Sequence, residues 1–349
     1  MRIAVYTGPK LLEISEINSP MKLGNEEVRI KSLYSGISHG TEMGVYRGQA
    51  PFFSKKYNPD NRLFLKAESS EKWGYPIRSC DPGVWYLGYS LVGIIKEIGE
   101  NVQSLCEGDF VYLNASHQSE HIAHESAVVK LPSGLDPKYG VVLTNLLTAF
   151  NGILDSKIKL GDIVVVMGQG VIGQLVSQLA KFSGAKVYVV DLISKRLKVS
   201  LLNGSDGAFN PNEGDSVALE IREKSGNRGA DVVIDASGSP KSLNESIRTI
   251  APEKTVVVLS WLQGETILNL ADEFHHNRVR LHCSQANYTS PEHAQMWPFE
   301  RKLDVCVQLL LKLKIDNLIS NVFEYEDIAQ AYQTIDESPE KVIQTVLKY

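Results

Sequence analysis

The sequence predicts an α/β protein in two parts, a doubly wound parallel sheet preceded by a compact β-rich domain. Three observations carry this. Residues 163–167 are a short apolar, β-branched run followed at once by a glycine-rich turn and a helical pattern. Further apolar runs then alternate with helical patterns as far as about residue 284. The first 145 residues instead hold short strands divided by Gly, Pro and Asn. Strand–helix alternation is the rhythm of a parallel sheet, and many short strands with turn signals indicate a β domain.

Within the β-rich part, Val28–Tyr34, Val92–Ile98 and Phe110–Leu113 alternate, and Glu120–Ala123 and Ala127–Leu131 follow. The segment Ala50–Leu87 interrupts them. It is rich in Pro, Asn, Lys and Ser, yet carries Phe52, Phe53, Tyr57, Phe64, Trp73, Tyr75, Trp85 and Tyr86. Segments this long are functional or disordered, and the aromatics argue against disorder. It is expected to be a lid over a substrate site or an oligomer arm. His117, His121 and His124 recur at metal-like spacings, but along a strand such spacings point to both faces, so a shared site is not expected.

Strands of the second part are expected at Ile163–Met167, Val187–Val190, Val232–Ile234, Val256–Leu259 and Val279–His282, with helices over 171–183, 194–202, 215–225 and 240–250. Continuous apolar runs of this length suit strands buried on both faces. Gly168-Gln169-Gly170-Val171-Ile172-Gly173 follows the first strand, and Asp191 ends the second. Gly168 permits a tight turn, Gly170 lets backbone approach a pyrophosphate, and Gly173 lets helix pack on strand. The helix that opens at Val171 and Ile172 offers its free N–H groups and positive dipole end to that pyrophosphate. Strand, turn, helix and acid in this order point to a dinucleotide site. Asp191 suits ribose hydroxyls and would repel a 2′-phosphate, which favours NAD; Lys195 and Arg196 lie close enough to keep NADP open. Ser237, Gly238, Ser260 and Trp261 stand at the carboxyl ends of two later strands, where ligands bind in such sheets.

From Gln285 onward, a helix over Phe299–Leu313, a strand at Val322–Tyr325, a helix at Asp327–Ile335 and a strand at Val342–Leu347 are expected. The strand–helix rhythm stops there, so this segment is expected to rejoin the first domain. That gives residues 1–145 and 286–349 as one discontinuous domain around residues 146–285.

At 349 residues the chain has room for about two domains, each with its own core. A formal net charge of −5 without a Lys/Arg run excludes a nucleic-acid-binding face. No apolar run approaches the ~18 residues that span a bilayer, so no membrane partner is expected. The opening residues are strand-like with no apolar leader, and the four cysteines are scattered, which together suggest a cytoplasmic protein with reduced thiols.

This layout, with Ser35-Gly-Ile-Ser-His-Gly-Thr41, Gly88-Tyr-Ser-Leu-Val-Gly93, Ile98-Gly-Glu-Asn-Val102, Gly108-Asp109, Leu160-Gly-Asp162 and the Gly168 turn, resembles the medium-chain dehydrogenase/reductase superfamily over essentially the whole chain. The resemblance implies a GroES-like catalytic domain, an inserted Rossmann domain, a small-molecule substrate, and homodimers formed by pairing edge strands of the Rossmann sheets. Zinc-type members place metal ligands where this chain has Ser38, Tyr89 (within Gly88-Tyr89-Ser90), and Thr144 or Asn145. Zinc needs three N, S or carboxylate ligands and an open position, and neutral hydroxyls or an amide do not supply them. The four-Cys lobe of many relatives is also missing. No zinc is expected.

A narrower set, bacterial dehydrogenases acting on bacteriochlorophyllide side chains or on sugar and polyol intermediates, looks similar at Ser35–Glu42, at Gly88–Gly93, and at Ser284-Gln285 with Trp297 and Arg301. Without a metal, hydrogen-bond donors must stabilise the alkoxide and a side chain must carry the proton. Ser38, His39, Thr41, Tyr89 and His117 are the candidates for that work, and Glu42 is expected to hold backbone. His39 resembles the residue that relatives carry near the pyrophosphate, with phosphate binding, proton relay or neither open to it. Thr148 resembles the family Thr beside the nicotinamide ring, or it packs a helix start. The function expected is zinc-independent, NAD(P)-dependent interconversion of a secondary alcohol and a ketone on a sugar, cyclitol or related biosynthetic intermediate. The alternatives are an NADPH-dependent enone or quinone reductase and a non-catalytic nucleotide-binding protein.

Overall fold

A computed structural model describes residues 1–19, 22–69, 72–214, 216–262 and 265–349. The chain divides into two compact units, Met1–Val142 with Asn321–Tyr349, and Leu143–Ser320.

The first unit begins with β1 (Arg2–Gly8), β2 (Leu11–Glu16), β3 (Glu27–Gly36) and the short helix α1 (Thr41–Tyr46). It continues through β4 (Lys55–Asn58), β5 (Leu63–Lys66), β6 (Ile77–Arg78), β7 (Leu91–Ile98), β8 (Phe110–Leu113), β9 (Glu120–His124) and β10 (Val128–Lys130). Its main sheet centres on β3, antiparallel to both β7 and β9. Alternation along these strands buries Val28, Ile30, Leu91, Ile95 and Val111 in one core. A second core, under α1, gathers Tyr6, Ile37, Met43, Tyr46, Leu87, Tyr325 and Tyr332.

The segment of residues 50–87 is ordered wherever it is described. A turn at Pro51–Phe53 leads into the β4–β5 hairpin, and β6 adds to the edge of β1. Phe52, Phe53, Trp73 and Tyr75 pack on the second core, with the Trp73 ring 3.8 Å from that of Tyr86 and 4.5 Å from that of Phe52. Residues 70 and 71 of this segment, like Asp215 at the start of the 215–225 helical pattern, lie outside the described residues.

The second unit opens with α2 (Leu143–Ser156) and winds through β11 (Ile163–Met167), α3 (Val171–Phe182), β12 (Lys186–Val190), α4 (Ser194–Leu202), β13 (Gly207–Phe209) and α5 (Val217–Lys224). It goes on through β14 (Val232–Asp235), α6 (Pro240–Thr249), β15 (Thr255–Val258), β16 (Arg280–Cys283), α7 (Pro291–Ala294) and α8 (Phe299–Leu309). Among the described residues its strands run parallel in the order β13-β12-β11-β14-β15-β16. The chain reverses its direction of travel between β11 and β14, the switch point where such sheets bind ligands. Every residue of β11 is buried, which is why it reads as unbroken apolar sequence.

The three-residue β13 was not anticipated, and α8 stops at Leu309, short of the expected Leu313. The return to the first unit falls at residue 321, later than the change of texture at 286 suggests. The reason is local: Lys302 of α8 is buried and bonds Asn151 Oδ1 of α2 (3.3 Å) and Thr289 Oγ1 (2.7 Å), which fastens that stretch to the second unit. The chain then passes through β17 (Ile319–Glu324) and α9 (Ile328–Glu337) to β18 (Gln344–Lys348), which pairs with β3. No helix among the described residues is long and apolar enough to cross a membrane.

Candidate functional site

The second unit builds a cradle at the carboxyl end of β11. Gly168 has φ of +83°, and a Cβ there would sit 2.6 Å from Ser237 Cα, so only glycine fits the turn. A Cβ on Gly173 would run into the Gly168 carbonyl. A Cβ on Gly170 would meet nothing within 4 Å, so backbone is open to a ligand there. The helix α3 starts at Val171 with no side chain capping its first N–H groups, which suits a phosphate. These features fit a dinucleotide on the expected residues.

Asp191 stands beside the cradle and already has work. Its Oδ2 accepts from Gln169 N (2.6 Å), its Oδ1 from Ile193 N (2.8 Å), and Arg196 Nη1 lies 3.8 Å from Oδ2. Gln169, which the sequence presents only as the residue between two glycines, is fully buried. Its amide donates to the Val166 and Gly168 carbonyls, and its Oε1 accepts from Ser177 and Ser200 hydroxyls. The cradle is thus braced from below.

Asp235, at the end of β14, opens the Asp235–Gly238 stretch whose place at a strand's carboxyl end marks it in the sequence as a candidate for ligand binding; its burial is what the sequence does not show. It is fully buried and accepts from Ser237 N, from the hydroxyls of Ser237, Ser242 and Ser246, and at 3.4 Å from Ser260. Burial raises its carboxyl above the usual range, against the pull of those donors. Ser237 and Ser260 therefore spend their hydroxyl protons inside the protein. Gly238 continues the loop with φ of +70°, and the Trp261 side chain is exposed. Thr148, on α2, turns its hydroxyl back to the Thr144 carbonyl (3.1 Å).

In the first unit the structure brings Ser38, Thr41, Tyr89 and His117 together around Glu42. Tyr89 OH donates to Ser38 Oγ at 2.5 Å, and Thr41 N donates to the same oxygen at 3.3 Å. Glu42 is fully buried; its Oε1 accepts from Ser38 N (2.7 Å), while Oε2 faces His117 Nε2 (3.0 Å) and accepts from Tyr332 OH. The other ring nitrogen of His117 lies 2.8 Å from Ser35 Oγ, which in turn lies 2.9 Å from Tyr349 OH. Burial first, then the Glu42 charge, push the Tyr89 phenol up to about 12, against hydrogen bonds to Ser38 and Thr41. Burial and Glu42 likewise hold the Tyr332 phenol well above its ordinary value.

The remaining histidines go elsewhere. His39 Nε2 accepts from Thr345 N on β18 (3.3 Å), His121 Nε2 donates to the Ser116 carbonyl (3.0 Å), and His124 pairs with Glu26 (2.8 Å). Glu42 does hold backbone, as its position predicts, but it also joins side chains 75 and 290 residues away. No spacing in the sequence signals that. Among the described residues, no three His, Cys, Asp or Glu side chains are gathered to hold a metal. Ser38 and Tyr89, at family ligand positions, are neutral hydroxyls bonded to one another, and that donor set does not fit zinc.

Residues 171–299 match the family of zinc-binding dehydrogenases. The chain is 30% identical to D-guloside 3-dehydrogenase of Shigella flexneri over 98% of each chain. Its fold matches that of 2R,3R-butanediol dehydrogenase from Bacillus subtilis with a TM-score of 0.77, at 20% identity, covering 100% of this chain and 99% of that one. An alcohol dehydrogenase from Escherichia coli CFT073, solved with NADH, matches at a TM-score of 0.76 and 20% identity over 100% of this chain and 99% of that one. From the near full-length identity and the fold together, the chain belongs to the zinc-type alcohol dehydrogenase-like medium-chain dehydrogenase/reductase superfamily, and it is an NAD(P)-dependent alcohol/ketone oxidoreductase.

Proposed function

We propose that this protein is a zinc-independent, NAD-preferring dehydrogenase that interconverts a secondary alcohol and a ketone on a sugar, cyclitol or related intermediate. The observation that carries it is the Tyr89–Ser38 pair, two hydroxyls 2.5 Å apart where metal-dependent relatives use a thiolate and an imidazole. The likeness to a D-guloside 3-dehydrogenase supports a sugar-like substrate. Asp191 beside the open Gly170 supports NAD, since its carboxylate would accept from ribose hydroxyls; Arg196, 3.8 Å away, softens the repulsion of a 2′-phosphate.

When bound, the nicotinamide accepts or donates the hydride. The chain's own residues do the rest. Gly168, Gly170 and the start of α3 hold the pyrophosphate, with Gln169 and Asp191 bracing the turn. Tyr89, kept protonated by burial and by Glu42, donates to the substrate oxygen during ketone reduction and regains a proton from solvent afterwards; alcohol oxidation is the reverse, with the phenol first yielding its proton to solvent and the phenolate then taking the proton of the substrate hydroxyl. Ser38 shares the load as a second hydroxyl at the same oxygen. Thr41 completes the proposed polar wall, with His39, tied to Thr345 N, and the fully buried His117 proposed to support it from behind; Thr148, Ser237, Gly238, Ser260 and Trp261 form the proposed nucleotide surface. The same reading includes a homodimer, supported by β16, an exposed strand pairing with β15, and a cytoplasmic location, supported by four cysteines without a disulfide.

Purified protein tested against NAD with sugars, glycosides and polyols, and against NADPH with enones and quinones, checks the chemistry. Turnover in the first panel, unaffected by a chelator and with substoichiometric zinc, is expected. Stoichiometric zinc lost together with activity would overturn the metal-free reading; turnover confined to the second panel would overturn the substrate class.

A further inference from the structure

Glu42 is an expensive residue to bury. It has no exposed surface, and its three partners are a backbone N–H, an imidazole and a phenol rather than an arginine or lysine. A carboxylate so placed costs desolvation that an apolar side chain would avoid. The partners come from three separate parts of the first unit: Ser38 from the loop after β3, His117 from the loop before β9, and Tyr332 from α9.

Both members of the Tyr89–Ser38 pair rest on the Glu42–His117 contact. Ser38 does so directly, through its N–H to Oε1. Tyr89 does so through Gly88, whose backbone lies against His117: with φ of +97°, a Cβ on Gly88 would sit 2.6 Å from His117 N and 2.8 Å from Nδ1. His117 is itself fixed at four points, by Glu42 and Ser35 on the ring, by its N–H to the Leu87 carbonyl (2.9 Å), and by its carbonyl accepting from Tyr325 OH (2.9 Å).

We propose that Glu42, fastened by His117 and Tyr332, is the positioning residue that sets the Tyr89–Ser38 separation and keeps Tyr89 a proton donor. This rests on the role given to Tyr89 and Ser38 above. Charge acts alongside geometry. The titratable groups around the carboxylate are His117, Tyr332 of α9, Tyr6 of β1, Tyr349 after β18, and Tyr89 itself, and Glu42 opposes ionisation of all four phenols.

Glu42→Gln keeps an acceptor for Ser38 N and removes the charge. Its kcat is expected to fall tenfold to a hundredfold, roughly the loss from a misplaced catalytic group. KM and NADH affinity should stay within about twofold, because only the transition-state interaction is lost. The alkaline limb of the kcat profile should move to lower pH as the phenol is freed from the carboxylate. Tyr332→Phe deletes a single oxygen from the core and keeps the Glu42 charge, so its kcat should fall by less, with KM unchanged and the alkaline limb not moved to lower pH; that split carries the test of positioning if the Gln variant fails to fold. Turnover in the unsubstituted protein with an unaltered kcat and pH profile in the variants would overturn the proposal alone and leave Glu42 a helix-entry brace. Absence of alcohol or ketone turnover in the unsubstituted protein would sink the dehydrogenase reading, and this proposal with it.

Discussion

In the proposed reading Tyr89 stands where zinc-type relatives carry a metal ligand and serves the site as its acid. Its phenol, pushed up to about 12, stays protonated at neutral pH and is available to an alkoxide, which is more basic still. Tyr89→Phe is therefore expected to lower kcat for ketone reduction by about a hundredfold, the scale of a lost general acid, with NADH affinity unchanged by fluorescence titration. An unaltered kcat would remove Tyr89 from the chemistry. The residue types at positions 38 and 89 were enough to raise the question of metal from sequence. The depth of Glu42 was not, because it depends on Tyr332, which the chain supplies 290 residues later.

Elements differ in how much of themselves they reveal. The strand β11 was legible residue for residue because both its faces are covered. The β4–β5 hairpin was not, since all but one of its residues are exposed and nothing selects an alternation. On β9, His121 shows how burial inside an element becomes a pH response. Burial holds its imidazole down to about 4, below the unfolded value near 6.5. A group depressed in the fold contributes stability that is fully present above the unfolded value and lost as pH falls through the folded one. Stability should thus decline between pH ~6.5 and ~4, by about 1–2 kcal/mol from this residue once its partial exposure is allowed for. His121→Asn should flatten that stretch of a urea-denaturation series; an unchanged slope would assign the acid sensitivity elsewhere.

For the whole molecule, the length and the order of elements were enough to indicate two units, and the Gly168 turn to indicate which one is proposed to hold the nucleotide. The proposed dimer belongs at this scale. The edge strand β16 exposes all four of its residues, Leu281 among them, and such an edge invites another strand. Leu281→Lys should convert a dimer to a monomer in sedimentation while leaving NADH binding intact; a persistent dimer would place the interface on another surface. The first unit is also made in two instalments. A ribosome completes residues 143–320 before β18 exists to lie against β3, and before Tyr332 can reach Glu42. The nascent chain therefore carries the proposed nucleotide cradle while its polar cluster is still open, and a chain stopped after residue 320 would hold Ser38, Tyr89 and Glu42 without the Tyr332 hydroxyl that closes on that carboxylate.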